Sequence, residues 1–448
     1  MKSYRLAYQP NSSKTDFSYT AAISRLIHSS WPLFLLLVCL SSMRVAHAAS
    51  EPVITQVTVG DSHTCALTRE GAVKCWGING AGQLGDGSMT NRSTPVDVSG
   101  LASGVSAIAA GEAHTCALTR NGEVKCWGFN AHGELADASL TNRTTPVDVG
   151  GLAGVSAITA GNDHTCALVS GGGVKCWGRN DAGQLGDASL TANRTAPVDV
   201  IGLGSGVTAI TAGGEYTCAL TSSGAVKCWG FNGFGQLGDG SLTTRTTPVD
   251  VSGLGSGVTA IAAGGVHTCA LTSSGAVKCW GNNVFGQLGN ADLISNRTTP
   301  FDVDGLGSGI SAIVAGSHHT CALTIGGAAK CWGRNANGQL GDTSKMDRST
   351  PADVSGLGSN VSAIAAGGAY TCALTSDGAA KCWGNKEGPL GSSSTDSTTP
   401  EDVNFQSSDG GGGGGCTINR NAGFDWGFML LMLTFAGVRV SRRFGKSG

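Results

Sequence analysis

The chain has 448 residues, of which 71 are glycine and only 13% are charged, a mixture that excludes a helical bundle and fits turn-rich β-structure. The formal charge of −2 hides a division: from 49 to 409, 19 basic residues face 29 acidic ones, while the two ends hold ten basic residues and two acids. So acidic a middle disfavours binding to a phosphate backbone, and no nucleic-acid partner is expected.

In chain order, residues 1–48 read as an export signal. Lys2, Arg5, Lys14 and Arg25 precede an apolar stretch from Leu33 to Leu40, and Ala46-His47-Ala48 supplies a small-x-small cleavage site, with cleavage expected after Ala48. The apolar stretch is short for a membrane span of about 20 residues, so removal is expected rather than anchoring.

From Val53 to Phe405 one unit of about 51 residues recurs seven times, its first cysteines separated by 50 to 52 positions. In the second unit four short β-rich runs stand out: Val105 to Ala109, His114 to Leu118, Glu123 to Trp127 and Thr145 to Val149. Four short strands per unit make a propeller blade, so residues 49–405 are expected to form an all-β, seven-bladed propeller with one antiparallel four-stranded sheet per blade. Pairing of the run Ile54 to Val59 with the last run, Thr399 to Val403, is expected to close the ring.

Fourteen of the 16 cysteines fall in seven pairs with an interval of ten: Cys65 with Cys75, Cys116 with Cys126, Cys166 with Cys176, Cys218 with Cys228, Cys269 with Cys279, Cys321 with Cys331 and Cys372 with Cys382. No C-x-x-C occurs, and this interval does not gather four zinc ligands within one repeat, so disulfides are the expected reading. Register supports it. Gly71 and its six counterparts lie four before the second cysteine, where a three-residue hairpin loop ends in a left-handed residue. Centring the turn on Glu70 places Leu67 opposite Val73 and Cys65 opposite Cys75. Disulfides imply an oxidising compartment, in agreement with export.

The recurring phrases are His63-Thr-Cys-Ala-Leu, Gly71-x-Val-Lys-Cys-Trp-Gly77, Asn79-x-x-Gly-Gln-Leu-Gly85 and Thr94-Pro95-Val96. Together they resemble the regulator of chromosome condensation repeat, over about 350 residues. That resemblance implies a seven-bladed propeller, and it implies either nucleotide exchange on a small GTPase, as in the nuclear namesake, or one-face protein binding, as in secreted bacterial relatives. The export signal and paired cysteines favour the secreted, bacterial type.

Beyond the propeller, 406–415 is a glycine-rich linker and 416–448 carries Cys416, an apolar stretch from Trp426 to Val438 and a basic end. The arrangement is similar to bacterial C-terminal sorting tails that meet export and sorting machinery and attach a protein to the membrane. Cys416 is then the point of cleavage or lipidation, or else a plain thiol beside a permanent anchor.

Candidate sites follow from what repeats and what does not. The position two before each first cysteine reads His63, His114, His164, Tyr216, His267, His319 and Tyr370, for which a structural hydrogen bond is expected instead of a metal ring. The recurring Arg92 and Asp97 suggest salt links between loops or blades, and Lys74 a soluble strand edge. Residues that vary between units report on binding. After each Trp-Gly these include Phe129, His132, Arg179, Phe231, Phe234, Phe285 and Arg334; before each first cysteine they include Asp61, Glu112, Asp163 and Glu215. Of these, Phe129, Arg179, Phe231, Phe234, Phe285 and Arg334 form the candidate binding face, with the three phenylalanines 231, 234 and 285 in one patch. No nucleophile elbow, phosphate loop or H-E-x-x-H motif is present, so neither catalysis nor a cofactor or metal is expected. The expected protein is an exported, membrane-attached monomer that binds a protein or glycan. An enzyme with its site on the propeller axis is the competing reading, for which clustered, non-repeating acids or histidines at one end of the axis would speak.

Overall fold

A computed structural model describes residues 52–405, apart from 191–192, 292–294 and 386–394. The export segment with Ala48, the linker and the tail with Cys416 lie outside the described residues.

Seven four-stranded antiparallel sheets follow one another, each built from consecutive strands. In the first blade the strands are Ile54–Val59, His63–Thr68, Val73–Gly77 and Arg92–Asp97. The expected register holds, with Leu67 opposite Val73 and Cys65 opposite Cys75. Gly71 takes φ +89°, which lets its amide reach back to the Thr68 carbonyl at 3.0 Å and close the hairpin.

Each blade carries one disulfide, and the seven pairs are those the spacing predicts. Cys65 is bonded to Cys75, Cys116 to Cys126, Cys166 to Cys176, and Cys218 to Cys228. Cys269 is bonded to Cys279, Cys321 to Cys331, and Cys372 to Cys382. In every case the two cysteines stand directly opposite each other on the second and third strands, with Cα atoms 4.1 Å apart.

Both faces of each sheet are buried, because alternation sends successive side chains to opposite neighbours. Cys65, Leu67, Val73 and Cys75 pack with Ile108, Ala117 and Trp127 of the second blade. Ala66 and Trp76 point the other way, into a cluster with Cys372, Leu374 and Phe405 of the seventh. The core is thus seven equivalent interfaces between blades, each holding one fully buried tryptophan.

Polar groups complete each interface. The Gln83 carbonyl of the first blade accepts from Trp127 Nε1–H (2.8 Å) and from the Thr115 hydroxyl (2.9 Å) of the second. His63 Nε2 lies 2.8 Å from the same hydroxyl. Since that hydroxyl spends its one proton on Gln83, the imidazole must donate, which sets the Nε2–H tautomer. The same three-part latch joins blades two to three, three to four, five to six and six to seven. Tyr216 and Tyr370 replace the imidazole by donating to the carbonyls of His267 and His63, 2.5 Å in each case. The histidine ring is therefore structural, as its spacing suggests. It also demands glycine at the axis: a Cβ on Gly60 would sit 2.4 Å from the Gly111 carbonyl and 2.5 Å from its own blade's imidazole.

Two expectations are corrected. The ring does not close by pairing the first strand with the last: among the described residues, Ser397–Asp402 pairs only with Ala380–Gly384, and Ile54–Val59 only with His63–Thr68. Each blade is made from one repeat, so closure is ordinary blade packing: Tyr370 on the first blade, and Phe405 edge-on to Trp76 at 5.7 Å. Phe405→Ala should cost about 3 kcal/mol, the low end for a buried phenylalanine, read as a lowered denaturant midpoint. The repeated charges are also partnered differently. Antiparallel pairing of the third and fourth strands sets Lys74 beside Asp97 at 2.6 Å, and this pair recurs in all seven blades. Arg92 turns instead to Asp86 of its own loop at 2.8 Å, as do its counterparts in the second, third, fourth and sixth blades. Both links lie within a blade. Burial raises the carboxyl of Asp86, but hydrogen bonds from Ser88 and Arg92 outweigh it and hold the group below its usual range.

Candidate interaction face

Strand direction divides the loops between two ends of the ring. One end carries the hairpins between first and second strands, at Gly60–Ser62 and equivalents, together with the long loops between third and fourth strands at 78–91 and equivalents. The other carries the short hairpins at 69–72 and equivalents and the connections between blades. That second end is nearly uniform in several blades, for instance Ser222-Ser223-Gly224 and Ser273-Ser274-Gly275. The side chains that vary from unit to unit, both those after Trp-Gly and those before the first cysteine, belong to the first end. The variable aromatic loop residues therefore gather on one face, while the opposite end varies in its own way, with Arg69, Glu70, Arg120 and the exposed Ile325 in its hairpins.

The phenylalanines do not share one ring cluster. Phe231 meets Phe234 edge-on within its own loop at 6.0 Å. Phe285 turns to the sixth blade, with the His318 ring at 5.4 Å and the Arg334 guanidinium 5.0 Å over its face. Phe129 stands against His132 at 5.9 Å. All are half-buried, which leaves an edge of each ring to solvent.

Between the second and fourth blades the same face is strongly charged. Arg179 bridges Asp163 (3.2 Å), Asp181 (2.6 Å) and Glu215 (3.2 Å), drawing three blade segments onto one guanidinium. Glu112 stands close by, and burial together with repulsion from Asp163 and Asp61 raises its carboxyl above the ordinary value. Glu134 is fully buried, with its Oε1 2.9 Å from His132 Nδ1. Burial raises its pKa, against the opposing pull of hydrogen bonds from His132.

Another feature of these loops escapes a search for variation. Met89, Leu140, Leu190 and Leu242 occupy one recurring position, directly after the loop serine, and are 46–58% exposed; in the sixth blade Lys345 stands there and the neighbouring Met346 is 71% exposed. They recur, so comparison between units hides them; the available signal is a large apolar residue next to a small one in a loop with no strand to bury it.

The axial channel is bland by comparison. Its wall is formed by Ile108, Ile158, Ile261, Ile313 and Ile364 with small neighbours, and among the described lining residues only Asp61 and Glu112 at the mouth carry charge.

Comparison with known proteins agrees with this architecture. The profile of the RCC1-like domain matches residues 39–290, and that of the Regulator of chromosome condensation (RCC1) repeat matches 274–323, 310–339 and 331–374. The Ultraviolet-B receptor UVR8 of Arabidopsis thaliana is 32% identical over 309 residues, covering 68% of this chain and 58% of the receptor. The E3 ubiquitin-protein ligase HERC2 of Homo sapiens is 31% identical over 336 residues, covering 73% of the chain but 6% of the ligase. The chain therefore spans little more than half of one relative and a small part of the other. Among solved structures, yeast RCC1 (Prp20) bound to Kap60 superposes with a TM-score of 0.62 at 26% identity, covering 70% of this chain and 78% of that one. Human WBSCR16 superposes at 0.65 and 24% identity, covering 72% and 87%, a likeness of fold alone. With its seven latched blades and a profile match over more than half its length, the chain belongs to the RCC1-like domain family.

Proposed function

We propose that this propeller is a non-catalytic regulator or binding scaffold that takes a protein partner on the face carrying the long third-to-fourth-strand loops. The observation that supports it most is where the variable aromatics fall: within one chain, seven copies of a unit hold their scaffold residues constant and place Phe129, Phe231, Phe234 and Phe285, with Arg179 and Arg334, at one end. Half-exposed aromatics and arginines are the usual anchors of protein interfaces. The exposed Met and Leu side chains in the same loops add apolar area that a protein would cover and a glycan would not. Relatives of this fold engage proteins, yeast RCC1 (Prp20) being bound to Kap60. The channel, with no charged lining beyond its mouth, gives an axial enzyme little to work with, and we carry over no exchange residues from the GTPase-linked namesake.

We further place this activity outside the reducing cytoplasm, attached to the membrane through the tail. Support comes from the seven disulfides, which belong to oxidising compartments, and from the order of signals at the two ends of the sequence.

The test compares partner capture by the wild type, by a Phe129→Ala, Phe285→Ala, Arg334→Ala variant, and by an Arg69→Ala, Glu70→Ala control on the opposite face. Quantitative mass spectrometry of the captured proteins should show one specific partner lost at least tenfold with the first variant and retained with the control. Equal capture by all three would reject the assignment of the face.

A further inference from the structure

In five blades a buried glutamine braces the long loop from within. Gln83, Gln184, Gln236, Gln287 and Gln339 each accept, through Oε1, the backbone N–H two residues earlier. The second blade has Glu134 at this position. Its Oε2 makes the same bond, accepting from His132 N at 3.0 Å. Oε1 is then surplus to the scaffold, and a neutral amide would have served the fold without placing a carboxylate at 0% exposure.

The surplus oxygen is not alone. His132 stands where the other described blades have Ala81, Ala182, Phe234, Phe285 and Asn337, so the only imidazole at this position coincides with the only carboxylate two residues later. Asp163 comes in from the third blade, and one ligand atom from each of the three residues lies within 4.8 Å of the others. Around them Glu112, Asp181 and Glu215 add negative charge that Arg179 offsets only in part.

We infer that His132, Glu134 and Asp163 form a binding site for a borderline divalent cation of the Zn2+ or Mn2+ kind. One imidazole with two carboxylates suits these ions, whereas Ca2+ prefers oxygen alone. The cation displaces the proton held between His132 Nδ1 and Glu134 Oε1, and that proton leaves to solvent. Glu134 is the rigid member, held by the His132 amide; His132 and Asp163 are partly exposed and rotate to close roughly 1 Å, bringing the ligands to the spacing that bonds of about 2.0–2.2 Å require. Asp163 keeps Arg179 on Oδ2, which orients it as an outer-shell partner does. Remaining positions on the ion face solvent, so a carboxylate or imidazole of a docked protein could complete the coordination.

The experiment titrates ZnCl2, MnCl2 and CaCl2 by calorimetry into metal-stripped, oxidised full-length protein carrying no histidine tag. One Zn2+ or Mn2+ per chain is expected, with heat that changes between buffers of different ionisation enthalpy because a proton is released. Glu134→Gln restores the residue that five other blades use and so keeps the fold, which thermal unfolding without metal verifies; it should weaken binding at least tenfold, as should His132→Ala. Binding unchanged in both variants, absence of Zn2+ and Mn2+ binding up to millimolar concentration, or Ca2+ binding indifferent to His132→Ala would each overturn the site. None of these results depends on which protein docks, so failure here leaves the partner assignment standing and failure there leaves this site standing.

Discussion

Acidification should unfold this propeller well above the pH at which its carboxylates titrate. His63, His164, His267 and His319 are held at a pKa of about 3 and His114 at about 4, first because burial penalises the charged ring. The hydrogen bonds explain why nothing compensates: Nε2–H is already given to the threonine of the next blade, and Nδ1, where the second proton would go, has no partner in any of the five rings. The sign follows from linkage. In the unfolded chain these groups titrate near 6.5, so above that pH both states are neutral and the full stability is present. Between about 6.5 and 4 the unfolded state binds protons that the folded state refuses, and stability falls with pH by about 1.4 kcal/mol per unit for each histidine. Five together would remove roughly 10 kcal/mol by pH 5, as much as the whole stability of an ordinary domain. Denaturant unfolding from pH 7.5 to 4.5 should therefore give a slope approaching five protons. The chain itself supplies the control, since Tyr216 and Tyr370 fill the same position in two blades. His114→Tyr with His267→Tyr should keep the fold and lower the slope to about three protons by the same linkage. A wild-type slope below one proton, or one unmoved by the double substitution, would show that the rings accept protons in place.

How far the sequence reveals these features depends on the distance over which each is determined. Blade number is a count of recurrences along the chain, and strand register and the cysteine pairs are set within some 20 residues by a turn of known geometry, for which Gly71 with Cys65 and Cys75 is enough. Contacts between blades depend on how one sheet rotates onto the next, which a repeat length does not specify. The bond from Trp127 to the Gln83 carbonyl, the seating of Phe405 on Trp76 and ring closure without a shared sheet are therefore visible only in three dimensions. Arg92 is an intermediate case. Its opposite charge at Asp97 is plain in the sequence, but the third strand's Lys74 claims that carboxylate first, and the loop aspartate takes the arginine. The site around Glu134 is half legible, since His132 and Asp163 stand out as variable, whereas Glu in place of Gln is one more spelling of a recurring phrase until its burial is known.

Reduction should be the second severe challenge, and its outcome bears on where the protein works. By the loop-entropy model, closing a loop of ten residues contributes about 2–3 kcal/mol, and a hairpin that is already local in the unfolded chain gains less. Even roughly 1 kcal/mol from each of seven bridges would equal the margin by which a domain of this kind holds together. Every bridged cysteine is buried between blades, so a reductant must wait for blades to part. Dithiothreitol added to the folded protein at pH 7.5 should thus do little at first, whereas protein unfolded in guanidinium and refolded with reductant present should lose most of its cooperative transition. Replacing one pair, Cys218→Ala with Cys228→Ala, isolates a single blade and should lower stability by about 2–4 kcal/mol once the lost packing is added to the loop term. Because Cys218 and Cys228 pack with Val226 and Val251 of their own blade and Trp280 of the fifth, the destabilisation should spread as faster hydrogen exchange in the fourth and fifth blades before the others. A reduced propeller with an unchanged denaturant midpoint would mean that the latches of tryptophan, threonine and histidine hold the ring unaided, and the disulfides would then give no physical reason to place the protein in an oxidising compartment.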